Sequence, residues 1–358
     1  MRIVVAMSGG VDSSVAAFEL KRRGYDVIGM TMKTWPKEEC GKSGEKLCCS
    51  LDAIQFARSV AEDMDVPYYV IDLSKEFSDI VKTYFVEEYT RGRTPNPCIY
   101  CNSKLKFGYM VKKAKELGAE KIATGHYARV MNDGGKYSLV EAKYEWQDQS
   151  YFLYDIAKED LSFIEFPLGD MSKDEVRKIA MEQGFMNADR EASQDICFTT
   201  SDGDYRVYLE KLGVDGFQPG DILDISGKVI GKHKGIAAYT VGQRRGIGLS
   251  AVEPRYVIKI DHKANTITVG EKENAMKTAM TVRNCNWLIV DRLEEKREFL
   301  TRIRYNGDKV PAAVEPKGDG EYLVRLESPQ FAPTPGQAAV FYDGKTVAGG
   351  GWIEEVLE

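Results

Sequence analysis

Apolar positions in the first 125 residues come in short unbroken runs separated by stretches of helical periodicity. Ile3 to Met7, Val27 to Met32, Tyr68 to Ile71 and Lys121 to Thr124 read as strands. The spacing between them predicts helices over Val11 to Arg23 (stopped by Gly24), Leu51 to Met64, Phe77 to Tyr89, and Lys104 to Leu117 (stopped by Gly118). Strands apolar on both faces and alternating with helices imply a parallel sheet covered on both sides, whose ligands gather at the carboxyl ends of its strands. After about Gly203 the texture changes. Segments such as Tyr256 to Ile260 and Thr266 to Val269 alternate at period two between glycines, the pattern of small β-barrels or sandwiches. Met276 to Thr281 is a candidate boundary between two such patches, and Pro333 to Gly336 reads as a turn within the last barrel.

At 358 residues the chain has room for two or three domains. Hydrophobic residues at 43%, charged residues at 29% and 33 glycines against 12 prolines exclude collagen, coiled coil and wholesale disorder. A net charge of −6 argues against a cationic chain that coats nucleic acid indiscriminately. From Ser201 onward 22 basic and 23 acidic residues nearly cancel, so the acidity sits in the front part. The start runs straight into a strand, and no run of about 20 apolar residues occurs. The expectation is a cytoplasmic protein without a membrane partner. Seven cysteines in a reducing compartment are then free, metal-bound or catalytic rather than structural bridges.

The first strand-to-helix junction reads Ala6-Met7-Ser8-Gly9-Gly10-Val11-Asp12-Ser13-Ser14. Glycines let the backbone approach phosphate oxygens, a helix N-terminus adds a favourable dipole, and Ser8, Ser13 and Ser14 supply neutral donors. Asp12 is placed to hold Mg²⁺ through water. A glycine turn capped by Asp or Ser is the plainer reading of the same string. It is neither a Walker A loop nor a dinucleotide Gly-x-Gly-x-x-Gly. The phosphate reading calls for a Lys or Arg nearby, and the sequence does not say which cation folds over the loop.

Thr94-Pro95-Asn96-Pro97-Cys98-Ile99-Tyr100-Cys101-Asn102 sets two thiols three residues apart at the mouth of a helix, where thiolate is favoured. Cys197 lies just before the change of texture. A Cys-x-x-Cys pair suits a redox dithiol, a zinc site or an iron–sulfur cluster, though a zinc ribbon would want a second pair. Cys285, in an apolar strand, reads as a buried small hydrophobe. Cys40, Cys48 and Cys49 sit among Gly41, Lys42, Ser43 and Gly44, and no catalytic role is assigned to them.

The glycine–serine string resembles the pyrophosphate loop of N-type ATP pyrophosphatases. Together with Arg93 to Cys98, Cys101-Asn102, Lys106-Phe107, Ala123 to Arg129, Asp148 to Leu153, Ile196 to Phe198, His233 to Gly235, Tyr239 to Gly248 and Pro335 to Gln337, it resembles the tRNA-specific 2-thiouridylases along the whole chain. The resemblance implies an α/β fold: a Rossmann-like parallel-sheet adenylation domain at 1–203, a central β domain at 204–280 and a C-terminal β-barrel at 281–358. It implies that ATP activates the C2 oxygen of the wobble uridine of tRNA, that sulfur displaces it to give 2-thiouridine, and that AMP and pyrophosphate leave. Carried over by motif, Ala6, Met7, Ser8, Gly9, Gly10, Val11, Asp12, Ser13, Met32 and Gly125 bind ATP. Asn96, Pro97, Cys98, His126, Asp148, Gln149, Ser150, Tyr305, Asn306 and Gln337 contact tRNA. Cys197 holds a persulfide, and Cys101 is the thiol that helps release or attack. The sulfur comes from a persulfide donor, a sulfur-relay protein or inorganic sulfide.

Two positions depart from the family. Many members have Asp where Cys98 stands, and Lys where Gln147 stands. A thiol at Cys98 is a weaker hydrogen-bonding group than a carboxylate and a far better metal ligand. Cys98, Cys101 and Cys197 therefore also resemble the three thiolates of cluster-dependent thiolases, which hold a four-iron four-sulfur cluster with one iron open. The persulfide and cluster routes both remain.

Between Ile225 and Val252 there is no acidic residue, while Lys228, Lys232, Lys234, Arg244 and Arg245 accompany His233 in a glycine-rich stretch suited to phosphate contact. Two other functions share parts of this pattern. An amide-forming ligase would use the same ATP loop on a small molecule without needing three thiols. A non-catalytic sulfur or cluster carrier would dock on RNA without turning over ATP.

Overall fold

Strands β1 (Arg2–Ala6), β2 (Asp26–Lys33), β3 (Tyr68–Asp72) and β4 (Lys121–Thr124) form where the apolar runs place them. A hairpin, β5 (Ala128–Asp133) and β6 (Lys136–Glu141), and a two-residue β7 (Ile164–Glu165) follow. The sheet order is β3-β2-β1-β4-β7 with every pair parallel, Ile3 facing Val27 on one side and Lys121 on the other. Successive connections run outward on opposite sides of β1, so a crevice opens between the carboxyl ends of β1 and β4. The computed structural model describes residues 1–35, 51–186, 188, 196–199, 204–249 and 253–357. Cys40, Cys48 and Cys49 lie outside them.

Two units divide the chain: 1–81 with 98–203 and 345–347, and 82–97 with 204–344 and 348–358. In the first, helix α1 (Val11–Arg22) and helix α2 (Leu51–Asp63) cover the sheet, and Ile3, Val5, Val15 and Leu20 pack with Val176 and Ala180 of the helix Lys173–Glu182, all excluded from solvent. The helix expected at 104–117 starts earlier and changes pitch. It opens at Pro97–Tyr100, widens to π-helix over Cys101–Tyr109 and closes as α-helix over Met110–Glu116. Such widening is frequent at functional positions.

The second unit holds a central sheet and a barrel. Strands β8 (Gly220–Leu223), β9 (Val229–His233), β10 (Tyr256–Asp261) and β11 (Thr266–Gly270) lie in the order β10-β11-β8-β9 around Ile222, Tyr239, Val257 and Ile267. Strands β12 (Met276–Trp287), β13 (Arg297–Arg302), β14 (Val310–Gly318), β15 (Glu321–Phe331), β16 (Ala338–Asp343) and β17 (Thr346–Leu357) follow the order β12-β15-β14-β13-β16-β17 and close where β12 pairs with β17. Trp287 fills the barrel, stacked on Phe341 at 5.4 Å and edge-on to Tyr322 at 5.3 Å.

β12 opens at Met276, inside the stretch read as a candidate boundary, and runs unbroken to Trp287. The helix Thr83–Thr90 belongs to the second unit: Tyr89 stacks on Tyr205 at 4.5 Å and Tyr84 lies on Trp352 at 5.5 Å. Helical periodicity marks an apolar face without saying which core receives it. No helix among the described residues is long and apolar enough to cross a membrane.

Candidate active site

The turn between β1 and α1 is built for close approach. Gly9 adopts φ +74°, and a Cβ there would fall 2.2 Å from the Ala53 carbonyl oxygen, so only glycine fits. Gly10 is the N-cap residue of α1, and no side chain caps the helix, which sets aside the plainer reading of an Asp or Ser cap. The hydroxyls stiffen the turn instead. Ser8 N–H donates to Ser13 Oγ at 3.1 Å, and Ser13 and Ser14 hydroxyls donate to the Gly10 carbonyl at 3.0 and 3.2 Å. The helix dipole thus faces the crevice without a protein carboxylate in the cap position, an anion-binding arrangement.

Six expected ATP residues line that crevice at or near the turn, namely Ala6, Met7, Ser8, Asp12, Ser13 and Gly125, with Met32 from the end of β2. Gly9, Gly10 and Val11 belong to the turn and the first position of α1. At Gly125 a Cβ would meet the Asp12 carbonyl carbon and the Ser13 nitrogen at 2.8 Å, so the exit of β4 rests directly on α1. Lys106, His126 and Gln149 line the same cleft. The residues expected to touch tRNA at 126 and 149 therefore share a space with those expected to hold ATP. His126 Nδ1 lies 2.7 Å from Thr124 Oγ, and its ring tilts against Phe107 and stands edge-on to Phe166. Burial first, and the Lys106 charge second, hold the imidazole well below its ordinary pKa, so it is neutral.

The structure supplies the cations the sequence left open. Lys106 reaches the cleft from the π-helical stretch. Lys173 Nζ grips both oxygens of Asp12, at 2.6 Å to Oδ2, and lies 5.6 Å from the centre of the Tyr127 ring. Tyr127 donates its hydroxyl to Asp12 Oδ1 at 2.8 Å, and burial together with that carboxylate raises the phenol pKa. Asp12 is thus ion-paired to Lys173 and hydrogen-bonded to Tyr127 in this structure. Gln147, one of the two departures from the family, fixes the backbone that presents Lys173: its Oε1 accepts from Lys173 N–H at 3.0 Å and its Nε2 donates to the Met171 carbonyl at 2.5 Å. The Ser172-x-x-Glu175 string ahead of Val176 was a legible helix start, and both halves of its capping box form. Nothing in the string told that the first helical lysine would reach Asp12.

Cys98 is exposed in the first turn of Pro97–Tyr100, Cys101 is half-buried at the head of the π-helix, and Cys197 is half-buried in a turn whose Phe198 packs edge-on against Phe77 at 5.7 Å. Among the described residues no group of three or more His, Cys, Asp or Glu is placed to hold a metal ion. Burial pushes the Cys285 thiol well up, as its reading as a packed hydrophobe requires.

Asp148 and Ser150 are buried. Asp148 Oδ1 accepts from Ala142 N–H at 2.9 Å, and Ser150 donates its hydroxyl to Asp148 Oδ2 at 2.7 Å. Together they shape the loop that presents Gln149, whose Oε1 also accepts from Tyr127 N–H at 3.0 Å. Asn102 ties this loop to the cysteine helix by donating to the Phe152 carbonyl at 3.1 Å. In the second unit, Gln337 donates to the carbonyls of Thr94 and Pro95 at 3.0 and 3.2 Å and so braces the turn carrying Asn96 and Pro97. Arg93 is clamped between Glu88 at 2.7 Å and Glu354 at 3.0 Å. Tyr305 and Asn306 lie in the turn between β13 and β14, with Asn306 exposed.

Three family models match the chain: a tRNA methyl transferase HUP domain over residues 1–201, a tRNA methyl transferase PRC-barrel domain over 210–271, and an aminomethyltransferase beta-barrel domain over 277–353. A tRNA-specific 2-thiouridylase of Caldanaerobacter subterraneus subsp. tengcongensis is 45% identical over 99% of this chain and 98% of its own length. One from Moorella thermoacetica is 44% identical over 99% of this chain and all of its own. Among solved structures, a 4-thiouridine synthetase–RNA complex with bound ATP matches at 19% identity and a TM-score of 0.37, covering 59% of this chain and 50% of that one, too weak a likeness to argue from.

Proposed function

This chain belongs to the tRNA-specific 2-thiouridylase family, and from that premise we propose how its cleft carries out the reaction. The protein is a tRNA-uridine 2-sulfurtransferase that consumes ATP. The β1–α1 turn binds the phosphates of ATP through its backbone and serine hydroxyls, with Met32 and Gly125 shaping the nucleotide pocket. The C2 oxygen of the wobble uridine attacks the α-phosphorus, the bond to the β-phosphate oxygen breaks, and pyrophosphate leaves. Lys106 and Lys173 balance the charge that builds on the departing pyrophosphate. Lys173 can do so because phosphate competes with the Asp12 carboxylate that pairs with it.

The sulfur step follows from the thiols. A donor leaves a persulfide on Cys197. Its terminal sulfur attacks C2, AMP departs with the former uridine oxygen, and Cys101 thiolate then attacks Cys197 sulfur, freeing 2-thiouridine and leaving a disulfide that an external thiol must reduce. No step is assigned to Cys98 beyond lying beside the base with Asn96 and Pro97. Gln149 and the neutral His126 contact the uridine side of the cleft, Asp148 and Ser150 hold Gln149 in place, and Gln337 acts by bracing Asn96. Tyr305, Asn306 and the Lys228 to Arg245 strip supply contacts to the tRNA backbone.

The observation that carries this reading is the uncapped α1 terminus sharing one cleft with Lys106, His126 and Gln149. The test is AMP formation from ATP with and without transcript tRNA, alongside sulfur incorporation. Turnover that depends on tRNA and 2-thiouridine that vanishes in Cys197→Ser are expected. ATP turnover supported by a small amine without tRNA would instead indicate a ligase, and absence of any turnover a carrier.

A further inference from the structure

We propose that Trp146 is a stacking platform for an unstacked nucleobase of the substrate RNA, next to the nucleotide that enters the cleft. Of the four tryptophans, Trp35, Trp287 and Trp352 are buried at 6 to 8% exposure, whereas Trp146 is 79% exposed. The turn that carries it is fixed. The turn Glu145–Gln147 closes with Gln147 N–H to the Tyr144 carbonyl at 3.3 Å and Asp148 N–H to the Glu145 carbonyl at 3.1 Å, and Gln147 is locked to Met171 and Lys173. A fixed turn leaves only the two side-chain torsions of the indole to order on binding, a low cost for a large contact area.

Tyr144 adds a second ring, its centroid 5.0 Å from that of Trp146, with Lys143 Nζ 5.3 Å above it. Paired aromatic faces beside a cation are the means by which proteins hold single-stranded nucleic acid, because every base has a π-face and every nucleotide a phosphate. Trp146 stands three positions before Gln149, which lines the cleft, so the two Cα atoms are within about 11 Å of each other. A base flanking the extruded uridine reaches that distance, and an anticodon loop offers such bases already partly unstacked.

The inference rests on the tRNA reading of the cleft and is tested separately from it. Trp146 dominates any fluorescence that solvent or ligand can reach. Titration of the full-length protein with transcript tRNA should quench the exposed component, and Trp146→Ala should remove that quenching and weaken tRNA binding roughly tenfold. Trp146→Phe should restore most of the affinity, and the KM for ATP at saturating tRNA should stay unchanged in both variants. Saturable tRNA binding without quenching, or with undiminished affinity in Trp146→Ala, would overturn the platform and leave the tRNA reading standing. Quenching that follows protein concentration rather than tRNA would overturn it in favour of self-association. Failure of the wild-type protein to bind tRNA would take down the underlying reading as well.

Discussion

At Gly125 one added methyl group meets the backbone of α1, with Asp12 and Ser13 atoms 2.8 Å from where it would sit. Relief requires β4 and the phosphate turn to separate, and misplacement of that order costs reactions roughly 10²-fold. Gly125→Ala should therefore lose AMP formation to that extent with its fold intact by circular dichroism; an unchanged rate would mean that the turn does not hold the nucleotide. Lys173→Met should also lower tRNA-dependent AMP formation by roughly 10²-fold if the proposed charge balance on pyrophosphate is its duty. Lys173→Arg should recover part of it, and full activity in the Met variant would exclude the proposed duty. His233 offers a pH test away from the cleft. Its Nδ1 accepts from Gly235 N–H at 2.9 Å and its Nε2 faces the Asn265 carbonyl at 3.0 Å, so the ring is neutral with its proton on Nε2. Burial lowers its pKa. An unfolded histidine titrates near about 6.5, so below that pH the unfolded chain binds the extra proton and stability falls as pH drops. The loss in melting temperature between pH 7.5 and 5.5 should shrink in His233→Gln, and an equal loss would contradict this.

Among the elements, the helix Lys173–Glu182 links stability to chemistry, because its capping box lies directly before the lysine that holds Asp12. Ser172→Ala should cost about 1 kcal/mol and lower the melting temperature by a few degrees, and it should reduce ATP turnover more than that loss explains. Equal activity at a lowered melting temperature would show that the cap serves stability alone. The β5–β6 hairpin escaped the period-based reading although its signal was present. Gly134 and Gly135 both take positive φ between Asp133 and Lys136, the turn that closes two-residue hairpins, and alternating residues flank it. The π-helical widening at Cys101–Tyr109 had no comparable signal, since hydrophobic spacing over nine residues does not resolve one extra residue in a turn.

For the whole molecule, recognition of tRNA by phosphate contacts in a chain of net charge −6 predicts strong ionic-strength dependence. Affinity for transcript tRNA should fall by orders of magnitude between about 50 and 200 mM salt, and a flat response would contradict a phosphate-dominated footprint. The alternation of strands and helices, the glycine–serine turn and the change to β texture near 203 were legible because each depends on neighbours within a few residues: backbone freedom at Gly9, burial of both faces at Ile3 to Val5, period two at Tyr256 to Ile260. Those local terms also placed Cys98 and Cys101 at a helix start. Which lysine meets Asp12, and which core accepts the face of Tyr84 and Tyr89, depended on residues more than 100 positions apart. Such contacts are set by the packing of whole elements, and chain spacing holds no record of the partner until the sheet and barrel have closed.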